Sequence, residues 1–439
     1  MKSVKIYAFT LALSMLVPIV SGCSSEKSQV VDTVTESTET FDSSVLTVVD
    51  TMPTVVETDP DLPSVETAKL ALDSFIEQFG KNVKNRYLNW RKNETYARSQ
   101  YFWTDAEVFE VLVDSAQYLS QEEYVSYMDK AYRGFVSTYG EYTTWTSNNY
   151  NDDLMWITIA TAKAYLLTGN EEYKDCCTTV FGYTFSRAWT SSYGGGMLWY
   201  EGLTTKNSCV NYPATIAACL LYKIYGDSKK IHYVDYPGDG EKKTGSYLDV
   251  AKMIYGWTNS VLRNQNTESS DYGRVYDSYD NDKISNEWSG TYNLGTCIGS
   301  ATLLYELTGD AAYLEDARAT FHYTAKVKYG YRTVISDECN GNDLPGFKGI
   351  MMRWINYLLT NHYEEVSDMT SEIGWVKKNI QTAWKNRNSY NIVWTAWGSK
   401  SVDGMETVAI DGGTGYNVWG CSAVVAMMAT FPYDLIPLK

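Results

Sequence analysis

A chain of 439 residues, 44% hydrophobic and 21% charged, is long and apolar enough for one large globular domain, with room for two or three. A net charge of −16 argues against a nucleic-acid partner, anionic lipid or a polyanionic substrate, and points to a neutral ligand. The three histidines, His232, His322 and His362, lie far apart with no metal-ligand spacing, so neither a His-based metal site nor a Ser-His-Asp hydrolase is expected, and no cofactor is implied.

The chain opens with Lys2 and Lys5 before an apolar run, residues 6–20, too short and wrongly flanked for a stable membrane span. The run ends in Val20-Ser21-Gly22-Cys23, which resembles the lipobox of bacterial lipoproteins. That likeness implies a signal peptide over 1–22 and lipid attachment at Cys23, the mature protein sitting outside the cytoplasm on a membrane. Residues 23–63 are acidic and rich in Ser and Thr, with Phe41 the single aromatic. They read as a disordered tether, and the folded domain is expected over 64–439. Cysteines 176, 177, 209, 219, 297, 339 and 421 are odd in number and lack CxxC spacing, so neither a disulfide framework nor a zinc site is expected.

From Ser64 onward the dominant signal is amphipathic helix. Helices are predicted near 64–80, 103–119, 121–139, 152–168, 171–188, 211–225, 247–263, 293–308, 310–327, 347–363, 371–388 and 415–430. Ser64 is a candidate N-cap with Gly80 as stop, and Thr104 or Asp105 caps the second helix. A phrase recurs as "AYLLTGNEEY" (164–173), "LYKIYGDSKK" (221–230) and "LYELTGDAAY" (304–313). Each reads as helix, left-handed Gly, Asn or Asp cap, next helix. Twelve helices in six hairpins, with longer loops at 140–151, 189–210, 264–292, 328–346 and 389–414, predict an all-α (α/α)6 toroid whose loops gather at one end. An open α-solenoid is the alternative.

Asp152 and Asp153, in "SNNYNDDLMW" (147–156), stand where a polar loop enters a helix apolar nearly all round. One Asp suffices as a cap. A second, at the inner mouth of a ring, suits a pair of carboxylates flanking a glycosidic bond, with each charge raising the other's pKa. The adjacency favours the short separation of a retaining mechanism. Candidate walls come from the loops: Gly195 and Trp199 in "SSYGGGMLWYEG" (191–202), Lys206, Asn207 and Asn211 in "TTKNSCVNYP" (204–213), and Asp277 in "GRVYDSYD" (273–280). "GTYNLG" (290–295) adds Tyr292 and Asn293, and "DLPGFKGIMMRW" (343–354) adds Phe347, Lys348 and Arg353. The 37 Tyr and 14 Trp suit half-apolar, half-polar sugar faces.

Tyr150-Asn151-Asp152-Asp153, Gly194-Gly195-Gly196 followed by Trp199, Lys206-Asn207, Thr291-Tyr292-Asn293 before Gly295, and Phe347-Lys348-Gly349 together resemble glycoside hydrolase family 76. The family contains bacterial endo-α-1,6-mannanases and fungal wall-remodelling relatives. The resemblance implies an (α/α)6 fold, an α-1,6-mannan substrate, and retention with Asp152 as nucleophile and Asp153 as acid/base. Many members carry Gln where this chain has Leu294, so a subsite contact is expected to differ. The expected partner is α-mannan polysaccharide or oligosaccharide, met by a monomer whose only other attachment is the N-terminal lipid. A non-catalytic mannan-binding lipoprotein and a transglycosylase are the alternatives.

Overall fold

The computed structural model describes residues 59–80, 88–91, 101–120, 122–236, 238–339, 341, 343–410 and 413–438. The expected signal peptide, the lipid-bearing Cys23 and all but the last residues of the tether lie outside the described residues. Thirteen α-helices are described: α1 (Val65–Phe79), α2 (Phe102–Leu119), α3 (Glu122–Tyr139), α4 (Asn151–Thr168), α5 (Glu171–Ala188), α6 (Ser208–Tyr225), α7 (Tyr247–Leu262), α8 (Thr291–Thr308), α9 (Ala311–His322), α10 (Phe347–Asn361), α11 (Tyr363–Val366), α12 (Thr370–Lys385) and α13 (Val418–Thr430). Short strands sit in the connections: β1 (Lys206–Asn207), β2 (Ile231–Val234), β3 (Lys242–Gly245), β4 (Ser278–Asp280), β5 (Lys283–Asn286), β6 (Ala409–Ile410) and β7 (Gly413–Thr414).

Helices α2, α4, α6, α8, α10 and α13 each pack on the next, and α13 closes onto α2. Around this ring α1 lies on α13 and α2, α3 on α2, α5 on α4 and α6, α7 on α6, α9 on α8, and α12 on α13. The closure makes an (α/α)6 toroid and rules out the open solenoid. Amphipathicity sorts the helices between the layers. Every residue of α13 is buried, whereas α3 buries the single stripe Tyr124, Met128, Tyr132 and Phe135. Each long loop delivers the chain to the N-terminus of an inner helix, which brings those N-termini to one end.

Several boundaries depart from expectation. Helix α2 starts at Phe102 with Tyr101 as N-cap, and the Thr104 hydroxyl reaches back to accept from Tyr101 N at 3.3 Å. Thr104 therefore lies within the first turn. The phrase at 221–230 does not form a helical hairpin. Gly226 has φ 55° with ψ −139°, and a 3-10 turn leads into the β2–β3 hairpin before α7. Its two sister phrases behave as read: Gly169 and Gly309 are left-handed, and Asn170 and Asp310 cap α5 and α9. The α9 periodicity continues beyond His322 as a π-helical stretch, Tyr323–Lys328.

The ring encloses a buried ionic cluster. Arg353 of α10 contacts Glu107 at 2.8 Å, Glu110 at 3.0 Å and Asp114 at 2.6 Å, all three from α2, and Lys163 of α4 pairs with Glu110 at 2.9 Å and with Asp114. Three carboxylates, out of contact with water, face two cations. Burial pushes Glu107 up to about 8 and raises Asp114, while Arg353 and Lys163 pull both the other way. Arg353 is thus a core residue, not a wall of the site.

Candidate active site

The gathered N-termini surround a cavity of about 720 Å³, within the ~300–1,000 Å³ span of small-molecule sites. Phe102 and Trp103 open α2, Asp152, Asp153 and Trp156 lie on α4, Cys209 on α6, Tyr292 on α8 and Phe347 on α10. The sheet β1-β4-β5 completes one wall. Asn207 pairs with Ser278 across β1 and β4, which sets the 189–207 loop beside Asp277. These strands were not predicted. Asn281 and Asp282, at φ 54° and 56°, form the tight turn joining β4 to β5, an Asn-Asp pair suited to a two-residue hairpin.

Asp152 and Asp153 occupy the second and third positions of α4. Its N-cap is Tyr150, which makes no side-chain cap bond. The expected capping role of Asp152 is therefore absent, and both carboxyls open into the cavity. Oδ1 of Asp152 is buried without a hydrogen-bond partner. Asn148 Nδ2 donates to Oδ2 of Asp153 at 2.9 Å. Burial pushes both carboxyls up. For Asp152, Trp199 and Cys209 hold the rise back. Asp153 rises further because the Asp152 charge adds to its burial, against which Asn148 pulls down. Asp152 thus ionises first and Asp153 keeps its proton to higher pH, the split an acid/base pair needs.

Asn148 is held in turn. Its Oδ1 accepts from Tyr150 N at 2.9 Å, and its carbonyl accepts from Arg187 at the end of α5. Arg187 also donates to Asn151 Oδ1 at 2.7 Å and to the Thr146 carbonyl at 3.0 Å. One guanidinium therefore ties the approach to α4. Asp277 accepts from Asn286 at 3.1 Å and Asn293 at 3.3 Å, and burial raises its carboxyl. Tyr292 stacks on Phe347 at 4.0 Å between centroids, and Trp103 leans on Phe347 at 5.6 Å. Among the described residues the cavity wall contains Asp152, Asp153, Asp277 and Asp343 and no Lys, Arg or His, an acidic setting that favours a ligand without negative charge.

Of the residues singled out by sequence, Tyr150, Asp152, Asp153, Trp199, Asn207, Asp277, Tyr292 and Phe347 line this cavity. Asn151, Gly195, Lys206, Asn211, Asn293 and Lys348 stand behind it and do not. Lys206 is fully buried, its amine donating to the carbonyls of Thr190 at 3.2 Å, Ser192 and Gly195, and burial pulls it down to about 7. Lys348 does the same for Ser336 at 3.0 Å and Thr395, over the Trp397 ring at 4.8 Å, and is pulled down to about 8. Both amines are spent on loop carbonyls, so neither is free for a sugar hydroxyl. Asn211 grips the Met197 backbone through both its side-chain atoms, at 2.7 and 3.0 Å, and Asn151 holds the Leu198 carbonyl at 2.9 Å. Gly196, at φ 87°, lets the loop lie on Trp257, where a Cβ would sit 2.5 Å from the ring. Leu294 is wholly buried and lies off the cavity wall, so its departure from the family pattern falls in the core.

Sequence reasoning missed Asn148, Trp103, Trp156 and Asp343. Asn148 stood in the same stretch as the two aspartates, 147–156, and could have been read from its Asn-x-Tyr turn. Asp343 shares the stretch that gave Phe347, yet only the fold turns it inward. Its carboxyl is raised by burial, with Trp103 pulling the other way, and its carbonyl accepts from Trp419 Nε1 at 2.8 Å.

Residues 65–411 match the family model described as glycosyl hydrolase family 76. The chain belongs to glycosyl hydrolase family 76. Solved structures of the same fold include the GH76A alpha-1,6-mannanase from Salegentibacter sp. HEL1_6, 24% identical over 83% of this chain and 98% of that one, TM-score 0.68. An inactive variant of that enzyme, with two consecutive aspartates changed to asparagine and alpha-1,6-mannotriose bound, is likewise 24% identical over the same shares, TM-score 0.67. The family 76 mannosidase Bt3792 from Bacteroides thetaiotaomicron VPI-5482 is 19% identical over 83% of this chain and 96% of that one, TM-score 0.61. Among curated proteins none matches the chain. The protein is a glycoside hydrolase of this family.

Proposed function

We propose that this family 76 enzyme is a retaining mannanase that cleaves α-1,6-mannosidic bonds within mannan. The observation that carries the reading is the adjacent pair Asp152 and Asp153, both open to an aromatic-walled cavity, one with an unpartnered oxygen and one holding its proton to higher pH. The mannotriose-bound neighbour, inactivated at two consecutive aspartates, supports both the substrate class and the pair. Asp152 attacks the anomeric carbon as Asp153 protonates the departing glycosidic oxygen, giving a glycosyl ester on Asp152. Asp153, now a carboxylate, takes a proton from water, which attacks the same carbon and releases the sugar and the Asp152 carboxylate. Adjacent carboxyls favour the short separation that retention needs. In this reading the lipid expected at Cys23 anchors the enzyme outside the cytoplasm.

Incubation of the purified protein with linear α-1,6-mannan tests the reading, with new reducing ends and anomeric configuration as readouts. Asp152→Asn and Asp153→Asn should each lose activity by about 10³-fold or more, the scale on which a reacting group is lost. No new reducing ends from the native protein would sink the mannanase. Undiminished activity of Asp152→Asn would remove that residue's role.

A further inference from the structure

Beside the catalytic cavity lies a second, of about 580 Å³. Trp288 forms the wall between them. Its ring is 40% exposed and leans on Tyr292 and Phe347, at 6.0 and 6.3 Å between centroids, and both of those line the first cavity. Leu344, on the second cavity, is the chain neighbour of Asp343, on the first. At Trp288 the partition is therefore two rings deep, Trp288 toward the second cavity and Tyr292 and Phe347 toward the first, while at Asp343 and Leu344 it narrows to adjacent residues of the chain.

The rest of the second cavity is braced from behind. Lys328 donates to the Ser289 carbonyl, Glu338 accepts from the Thr291 hydroxyl at 2.8 Å, and Tyr329 stacks on Trp375 at 5.9 Å. The Ser336 carbonyl takes the Lys348 amine at 3.0 Å. Among the described residues, the groups left to meet a ligand include the Trp288 ring and the exposed Asp337 carboxylate. An aromatic face beside a carboxylate suits a hexose, whose C–H face packs on the ring while its hydroxyls donate to the acid. Asn286 joins the two spaces: its Nδ2 donates to Asp277 at 3.1 Å, and its Oδ1 accepts from Trp288 N at 3.0 Å.

We propose that the second cavity receives a glycosyl substituent carried on the mannan backbone while the backbone lies in the first. The inference rests on the mannanase reading above. An α-1,6-linked backbone leaves its C2, C3 and C4 hydroxyls outside the linkage, so a substituent on one of them projects sideways. Such a side branch leaves the first cavity beside the Tyr292 and Phe347 rings and reaches the second over the exposed Trp288 ring that leans on them.

The test compares a linear α-1,6-mannooligosaccharide with the same chain bearing an α-mannosyl group on O2, using the native enzyme, Asp337→Ala and Trp288→Ala. The native enzyme should turn over the branched substrate with kcat/KM at least equal to the linear one. Each variant should lower the branched-to-linear ratio about tenfold, the effect of losing ~1.4 kcal/mol of contact. The ratio cancels any general loss from the packing of Trp288 on Tyr292 and Phe347. A native ratio far below one, or a ratio untouched in both variants, overturns the branch site while leaving the mannanase standing. Variants that instead lose activity on longer linear chains make the cavity a backbone subsite, which also overturns it. Cleavage of neither substrate removes the mannanase reading and this inference with it.

Discussion

Replacing Asn148 by alanine removes the donor that faces the proposed acid/base, together with the Oδ1 that accepts from Tyr150 N. Asn148 Nδ2 donates to Asp153 Oδ2 at 2.9 Å and favours the ionised carboxyl. A hydrogen bond to a charged group contributes about 1.5–3 kcal/mol, and 1.36 kcal/mol corresponds to one pKa unit. Loss of the contact should therefore raise the pKa of Asp153 by about 1–2. The two carboxyls titrate as a pair, and in the proposed roles the proton lost on the alkaline limb is that of the acid/base Asp153. In the pH profile of kcat/KM, which reports the free enzyme, the alkaline limb should move up by that amount while the acid limb stays. The assay is release of reducing ends from a linear α-1,6-mannooligosaccharide between about pH 4 and 10. Alanine keeps the carbonyl that Arg187 holds, so the loop retains its main tie. A loop that merely loosens lowers the rate at every pH without moving the limb. An alkaline limb that stays put or moves down refutes the assignment.

Two further outcomes concern stability. Burial raises Asp152 from 3.8 to about 7, so the folded chain binds more protons than the unfolded one between those values and loses stability as pH rises through them. Asp152→Asn should therefore be more stable than the native protein at pH 8, by on the order of 1–3 kcal/mol after allowing for a poorly partnered amide, with the advantage gone below about pH 4; urea unfolding at the two pH values measures it, and an advantage at the lower pH contradicts the sign. Arg353→Met should cost about 3–5 kcal/mol by leaving Glu107, Glu110 and Asp114 with Lys163 alone, and a loss under ~1 kcal/mol in the same experiment would mean that the cluster relaxes by protonation instead.

Helix periodicity, caps and loop lengths were enough to call for two concentric layers. A helix buried all round, such as α13, contains no charged residue, whereas α3 sets Glu122, Glu123, Asp129, Lys130 and Arg133 around a single apolar stripe, so the sequence alone tells them apart. The doubled acid at the start of α4 was legible for the same reason: a charge at the mouth of a buried helix needs an explanation that a surface cap does not. Ring closure of α13 onto α2 is a contact between residues some 300 apart in the chain, and no local pattern encodes it. The polar side chains near the site were sorted only by the fold. Lys206, Asn211 and Lys348 look from sequence like ready hydroxyl partners, but each lies where loop backbone has no helix or sheet to satisfy its buried groups. Their donors go to those carbonyls. Asp343 and Asn148, set in polar loops like many others, become parts of the site because the tertiary packing turns one into the cavity and aims the other at Asp153.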